Sequence, residues 1–264
     1  MTTKKRPVKI AMIQMAVKGN DITANLAAAE RMLRQAAAQH VQVALLPECM
    51  DIGWTQPGAL TNATTIPDGI VFRKLSEWAI QLGIFICSGL TERAGDKVYN
   101  AAVLIDDKGK LLLKHRKINE LDIGKPYYAT GDRINVVDTA LGRIGVMICA
   151  DAIVEDHSIA TALARMEPGI ILSPCAWAVP PGFDNEKTPY GDLWRDAYMP
   201  VAEKFSTYII GVSNVGHMTD GPWKGWDCIG ASIAVDNRGR QMKQMPFGVT
   251  AENIEYITCD MQNR

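Results

Sequence analysis

The sequence contains no run of about 18 consecutive apolar residues, the length needed for a membrane-spanning helix. Its opening residues, Met1 to Arg6, also lack the apolar stretch of a secretory signal. The chain therefore reads as one without a membrane partner, and as cytoplasmic. Charge of one sign is equally scarce. Lys and Arg number 28 against 29 Asp and Glu, for a net charge of −1, and the like charges gather only at Lys4-Lys5-Arg6. That balance argues against nucleic acid or an anionic surface as partner. No CxxC pair and no Cys/His cluster stands at metal-ligand spacing, so no metal or organic cofactor is called for. No repeat, low-complexity tract or linker divides the 264 residues, and a single domain over 1–264 is expected.

What is present is an ordinary globular composition, 47% apolar and 22% charged, sufficient for a large core. Short apolar runs alternate with helical patterns, which predicts an α/β fold. Strands are expected over 8–13, 41–46, 84–90, 170–173 and 208–213. Helices are expected over 20–39, from Pro67 to about 82, and over about 156–166 and 191–206. The turn residues 106–109, 140–142 and 237–239 join strands directly, as hairpins. Mixed sheets, or two stacked sheets with helices outside, follow from that combination, and a purely parallel sheet is excluded. Four long turn-rich stretches, at 47–66, 118–132, 174–190 and 214–226, are where function is expected.

Three ionisable residues stand where such a strand meets such a loop. Glu48 follows Leu45-Leu46-Pro47, Lys117 follows the strand ending near Lys114, and Cys149 ends the run 143–148. A cysteine at a strand end is held by rigid backbone, and the N–H of the next residue, Ala150, is available to an oxyanion. The thiol still needs a base, because a free thiol is mostly protonated at neutral pH. None of the four histidines has a recognisable protease context. Taken singly, Glu48 reads as readily as a capping or surface carboxylate, Lys117 as one of many solvated cations, and Cys149 as a buried apolar residue like the other five cysteines.

Taken in order, the segments carry more information. They are Leu46-Pro47-Glu48, Tyr99-Asn100-Ala101-Ala102-Val103, His115-Arg116-Lys117, and Gly142 through Cys149-Ala150-Asp151. Further along stand Ser173-Pro174-Cys175-Ala176-Trp177, Asn214-Val215-Gly216, Gly230-Ala231-Ser232 and Val235-Asp236-Asn237-Arg238-Gly239. This series resembles the nitrilase (carbon–nitrogen hydrolase) superfamily over nearly the whole chain. The resemblance implies a four-layer α-β-β-α sandwich, a homodimer or larger assembly, and a Glu48, Lys117, Cys149 triad acting on a small molecule through a thioester. Family members with Asp two residues after the cysteine commonly hydrolyse amides, so the amidase-like branch, acting on an amide or N-carbamoyl amine, is expected. Nitrile hydrolysis, acyl transfer by the same triad, and a catalytically silent self-assembling scaffold are the alternatives. The resemblance also places a second glutamate between the lysine and the cysteine. Here the matching position is Gly124, and Glu120 is the candidate substitute. Ala150 stands where a larger residue is frequent, which leaves room in the pocket. Trp54, Tyr127, Tyr128 and Trp177 complete the expected substrate-binding set, although each aromatic also reads as a packing residue.

Overall fold

The computed structural model describes residues 5–262. In chain order it contains β1 (Lys5–Gln14), α1 (Ile22–Ala37), β2 (Val43–Leu45), α2 (Ala59–Asn62), α3 (Ile70–Leu82), β3 (Phe85–Ala94), β4 (Lys97–Ile105) and β5 (Leu111–Arg116). Then come β6 (Val136–Thr139), β7 (Gly142–Val146), α4 (Ser158–Ala164), β8 (Ile170–Cys175), β9 (Ala178–Val179), α5 (Gly191–Phe205), β10 (Tyr208–Ser213), β11 (Val215–His217), β12 (Asp227–Ile229), β13 (Ile233–Val235), β14 (Gln241–Gln244) and β15 (Asn253–Gln262). Two six-stranded mixed sheets result, ordered β15-β1-β2-β3-β4-β5 and β14-β13-β10-β8-β7-β6.

Alternation along the strands explains the layering. On β1, Val8, Ile10 and Met12 face the second sheet, while Ala11 and Ile13 face α1 and α3. Val43 and Leu45 on β2 and Ala102 and Leu104 on β4 repeat the inward set, with Ala44, Val103 and Ile105 turned to the helices. α4 and α5 cover the far face of the second sheet through Leu163, Trp194, Tyr198 and Val201. The architecture is therefore helix, sheet, sheet, helix, as expected.

Three features depart from the sequence reading. α3 begins at Ile70, with Gly69 as its N-cap, rather than at Pro67, because a turn occupies 65–69 and closes with Gly69 N–H donating to Thr65 O. β3 continues to Ala94 and makes a hairpin with β4, so β4 is paired on both sides. The small sheet of β11, β12 and β9, and the long β15 that flanks β1, were not anticipated. Among the described residues, no helix is long and apolar enough to cross a membrane.

Candidate active site

The glutamate, lysine and cysteine are brought to one place by three different strand ends. Beyond β2 the chain turns at Pro47, and Glu48 N–H donates to Cys175 O at 3.1 Å across the sheet interface. This turn lies on β3 at Gly89, where an added Cβ would stand 2.4 Å from Glu48 Cα. Only glycine permits that approach. Lys117 follows β5 and is pinned through its backbone, its N–H donating to Asn100 O and its carbonyl accepting from Gly131 N–H, both at 2.8 Å. Cys149 follows β7 and opens a short 3-10 turn, Cys149–Ile153. Its φ is +44°, a left-handed conformation a side-chain-bearing residue seldom adopts. Its N–H donates to Ser173 Oγ at 3.3 Å.

The side chains form a charged cluster almost sealed from water, with Glu48 and Lys117 each 1% exposed. Glu48 Oε1 accepts from Lys117 Nζ and from Asn100 Nδ2, each at 2.6 Å. Glu48 Oε2 has no hydrogen-bond partner among the described residues. A base with one oxygen anchored and the other open is positioned without being used up. Lys117 also lies 3.8 Å from Glu120 Oε2 and 5.3 Å from the Trp54 ring centroid. Burial disfavours its ammonium, but the carboxylates of Glu120 and Glu48 outweigh burial and hold its pKa well above the ordinary lysine value.

Burial pushes the Cys149 thiol well above its usual pKa, and a hydrogen bond with Cys175 and the charge of Glu48 add to that, against Lys117. The thiol is therefore protonated at neutral pH, and attack by sulfur requires a base that accepts its proton as the bond forms.

Asp151 ties the lysine loop to the cysteine turn. Its Oδ1 accepts from the N–H groups of Ile118 (3.0 Å) and Asn119 (2.8 Å). Its Oδ2 accepts from Ile148 N–H at 2.9 Å and meets His115 Nε2 at 2.8 Å. Burial would raise this carboxyl, but His115 and the backbone donors hold it below the usual range. Asn119 Nδ2 closes the link by donating to Ala150 O at 2.7 Å.

A cavity of about 200 Å³ opens onto Glu48, Lys117, Cys149 and Ala150. Every one of the four long loops supplies a wall residue: Trp54, Leu121, Trp177 and Trp223. Trp54 and Trp177 thus lie where substrate is expected, and Ala150 lines the floor. Tyr127 and Tyr128 do not line this cavity. Tyr128 is buried behind Glu48, its hydroxyl accepting from Thr55 N–H at 3.1 Å, and Tyr127 packs in the same cluster. Glu120 also stands back from the cavity, behind Lys117. An added Cβ on Gly124 would be 2.6 Å from Glu120 Oε2, so the carboxylate fills the space a side chain at 124 would take. Burial pushes Glu120 up to about 7, opposed by Lys117.

Asn100, Asp151, Tyr190 and Trp223 are site residues that sequence reasoning assigned no role. For Asn100 and Asp151 the signal was present, since both lie in the quoted motifs. Among the described residues, no group of three or more His, Cys, Asp or Glu is placed to hold a metal ion.

Residues 9–263 match the family model described as carbon-nitrogen hydrolase. The chain belongs to the carbon–nitrogen hydrolase family. It is 31% identical over 201 residues to a protein named nitrilase from Pyrococcus abyssi, covering 75% of each chain. It is 32% identical over 153 residues to omega-amidase NIT2 from Bos taurus, covering 54% of this chain and 55% of that one. The fold matches Nit3 from Saccharomyces cerevisiae, a member of branch 10 of the nitrilase superfamily, with a TM-score of 0.81 at 23% identity over 97% of this chain and 90% of that one. It also matches an amidase from Nesterenkonia sp. AN1 in complex with acrylamide, with a TM-score of 0.79 at 17% identity over 95% of this chain and 90% of that one. As a carbon–nitrogen hydrolase, the protein is an enzyme whose architecture is the nitrilase sandwich.

Proposed function

We propose that this enzyme hydrolyses the amide bond of a small molecule through a thioester on Cys149, with Glu48 as base and Lys117 as oxyanion partner. The observation that carries the reading is the asymmetry of Glu48, whose Oε1 is held by Lys117 and Asn100 while its buried Oε2 has no partner among the described residues, together with the cavity that Glu48 and Cys149 both line. The omega-amidase and amidase names among its relatives support an amide as substrate.

Each step follows from that arrangement. Glu48 Oε2 takes the thiol proton as Cys149 Sγ bonds to the carbonyl carbon. The oxygen becomes an oxyanion, met by Lys117 Nζ and by the backbone N–H of Ala150, whose preorganised charge and dipole stabilise it in a water-poor site. Protonated Glu48 returns its proton to the departing nitrogen as the carbon–nitrogen bond breaks, and an amine or ammonia leaves. Glu48 next deprotonates a water, which attacks the thioester carbon. The carbon–sulfur bond breaks, the sulfur recovers the proton, and free acid departs. Lys117 enters the reaction charged, because the carboxylates beside it hold its pKa well above the ordinary lysine value, and the oxyanion takes over the role of the Glu48 charge once that carboxylate is protonated. On the same reading the protein works in the cytoplasm as one domain assembled into a homodimer or larger homo-oligomer, which the family resemblance supports.

Incubation of the wild type and Cys149→Ala with a panel of short amides and nitriles, with ammonia and intact mass followed together, tests the proposal. Ammonia and an acyl adduct from the wild type alone are the expected result. Turnover by Cys149→Ala would remove the thioester from the mechanism.

A further inference from the structure

The cavity holds more information about the substrate than the triad does. Of its fourteen lining residues, the charged ones are Glu48 and Lys117. Both are already engaged with each other at 2.6 Å. Among the described residues, Lys117 is the one cation that lines the cavity, and Glu120 stands 3.8 Å from it as a second carboxylate. Among the described residues, no arginine or histidine lines the cavity to receive an anionic end of a substrate. A substrate carboxylate brought here would lose its water without gaining a counter-ion, and it would approach two buried carboxylates. Either effect disfavours binding of an anionic substrate.

The rest of the wall is aromatic and aliphatic. Trp177 stacks on Trp194 with centroids 4.4 Å apart and planes at 17°, and Trp54 meets Trp223 edge to face at 5.1 Å. Trp177 and Trp194 are 1% and 2% exposed, so their rings are fixed by packing rather than free to turn aside. Tyr190, Leu121, Ile153, Leu193, Ala176 and Ala178 make the remaining wall. The volume, about 200 Å³, exceeds the roughly 150 Å³ apolar cavity that accepts a benzene ring. The surplus is about what a carboxamide requires.

We infer that, given amide hydrolysis at this triad, the preferred substrates are uncharged amides whose acyl group is apolar and close to a phenyl ring in size, and that ω-amides of dicarboxylic acids are rejected. The acyl group lies between the Trp54 and Trp177 walls, and the carboxamide reaches Cys149 at the floor. This separates the chain from what the names of its omega-amidase relatives denote.

Two measurements test the inference separately from the reaction. Binding of phenylacetamide, isobutyramide and succinamate to the Cys149→Ala protein is followed by tryptophan fluorescence and calorimetry, and hydrolysis of the same three by the wild type is followed by ammonia release. Phenylacetamide is expected to bind at least tenfold tighter than succinamate and to be cleaved with a kcat/KM at least 100-fold higher. Succinamate bound or cleaved as well as phenylacetamide would overturn the inference and leave amide hydrolysis standing. Phenylacetamide bound in the expected order but never cleaved would uphold the pocket assignment and sink the hydrolysis proposal instead. As a second variant, Leu121→Arg supplies the missing cation. It is expected to raise kcat/KM for succinamate about tenfold while lowering it for phenylacetamide, and the absence of any gain toward succinamate would count against charge as the discriminating feature.

Discussion

The floor and the wall of the cavity are built on different principles. On the floor Glu48 and Lys117, and behind it Asn100 and Asp151, hold one another or the surrounding backbone through hydrogen bonds of 2.6–3.0 Å. On the wall, the indole N–H groups of Trp54 and Trp177 have no hydrogen-bond partner among the described residues, and the rings are placed by contact alone. The floor stands at strand ends, where register fixes position. Much of the wall comes from loops, where only packing does. Chemistry that tolerates little misplacement is thereby assigned to the rigid part, and selection among substrates to the part that can change without disturbing it.

The contrast is sharpest for Glu48→Gln. Oε1 and its two donors survive in kind, but the base is gone, so kcat is expected to fall by about 10³-fold or more. The thermal midpoint should move far less than the rate does. A kcat within tenfold of the wild type, in a stopped assay of ammonia, would take the base role from Glu48.

Asp151→Asn tests whether the clamp belongs to the floor. An amide cannot accept from three backbone N–H groups and His115 at once, and a buried donor left unmatched costs about 1–3 kcal/mol. The expected result is a kcat about 10–100-fold lower, a nearly unchanged KM and a fall of several degrees in Tm. A loss of Tm with kcat untouched would reduce Asp151 to a purely structural tie.

On the wall, Trp223→Ala should do the reverse. Its ring is partly exposed and meets Trp54 and Trp226, at 5.1 and 4.1 Å. Losing it removes apolar contact made equally in ground and transition states, so KM is expected to rise about tenfold with kcat within about threefold. A kcat collapse instead would erase the distinction between wall and floor.

The smallest effect concerns Glu120, which lies behind the floor. Its carboxyl sits at about 7 in the folded protein against an ordinary 4.5. Between those values the folded state holds a proton the unfolded state has released, so stability falls as pH rises through that window and is flat above it. Asp51, pushed up to about 6 by burial, adds a slope of the same sign that a change at 120 leaves in place. In Glu120→Gln the loss of Tm from pH 5 to pH 8 is expected to be smaller than in the wild type by about 3 °C or more. Identical slopes would show that Glu120 ionises as an ordinary surface carboxylate does.

The same division explains what could be read from the chain. Glu48, Lys117 and Cys149 were legible only in series, because the segments that hold them stand in the order of the resembling family while each alone read as an ordinary residue, and the hairpins around 106–109, 140–142 and 237–239 were legible because turn residues sit between strands. β15 was not. Glu255 interrupts its alternation of buried and exposed residues, and its partner β1 lies some 250 residues away with no local turn to announce it. β9 and β12, two and three residues long, carry too little periodicity to detect. Trp223 is a loop residue whose position depends on Trp54, far away in sequence. Tyr127 and Tyr128 show the converse failure. Both occupy a long loop of the kind that lines the cavity, yet Tyr128 turns inward to Thr55 and Cys49, and composition alone cannot tell one face of a loop from the other.

The pairing of β1 with β15, Lys5 opposite Gln262 through Gln14 opposite Asn253, also constrains how the protein is made. Gln14, buried in β1, donates to Pro246 O and Ala251 O and accepts from Ser232 N–H, so its bonds await segments synthesised more than two hundred residues later. At about 5–20 residues per second, the earliest strand spends roughly 10–50 s on the ribosome before its neighbour exists. Throughout that interval an apolar edge is open to chaperones and to other nascent chains. Completion of the first sheet therefore waits on synthesis of β15, and the enzyme's yield in a cell depends on what shields β1 until then.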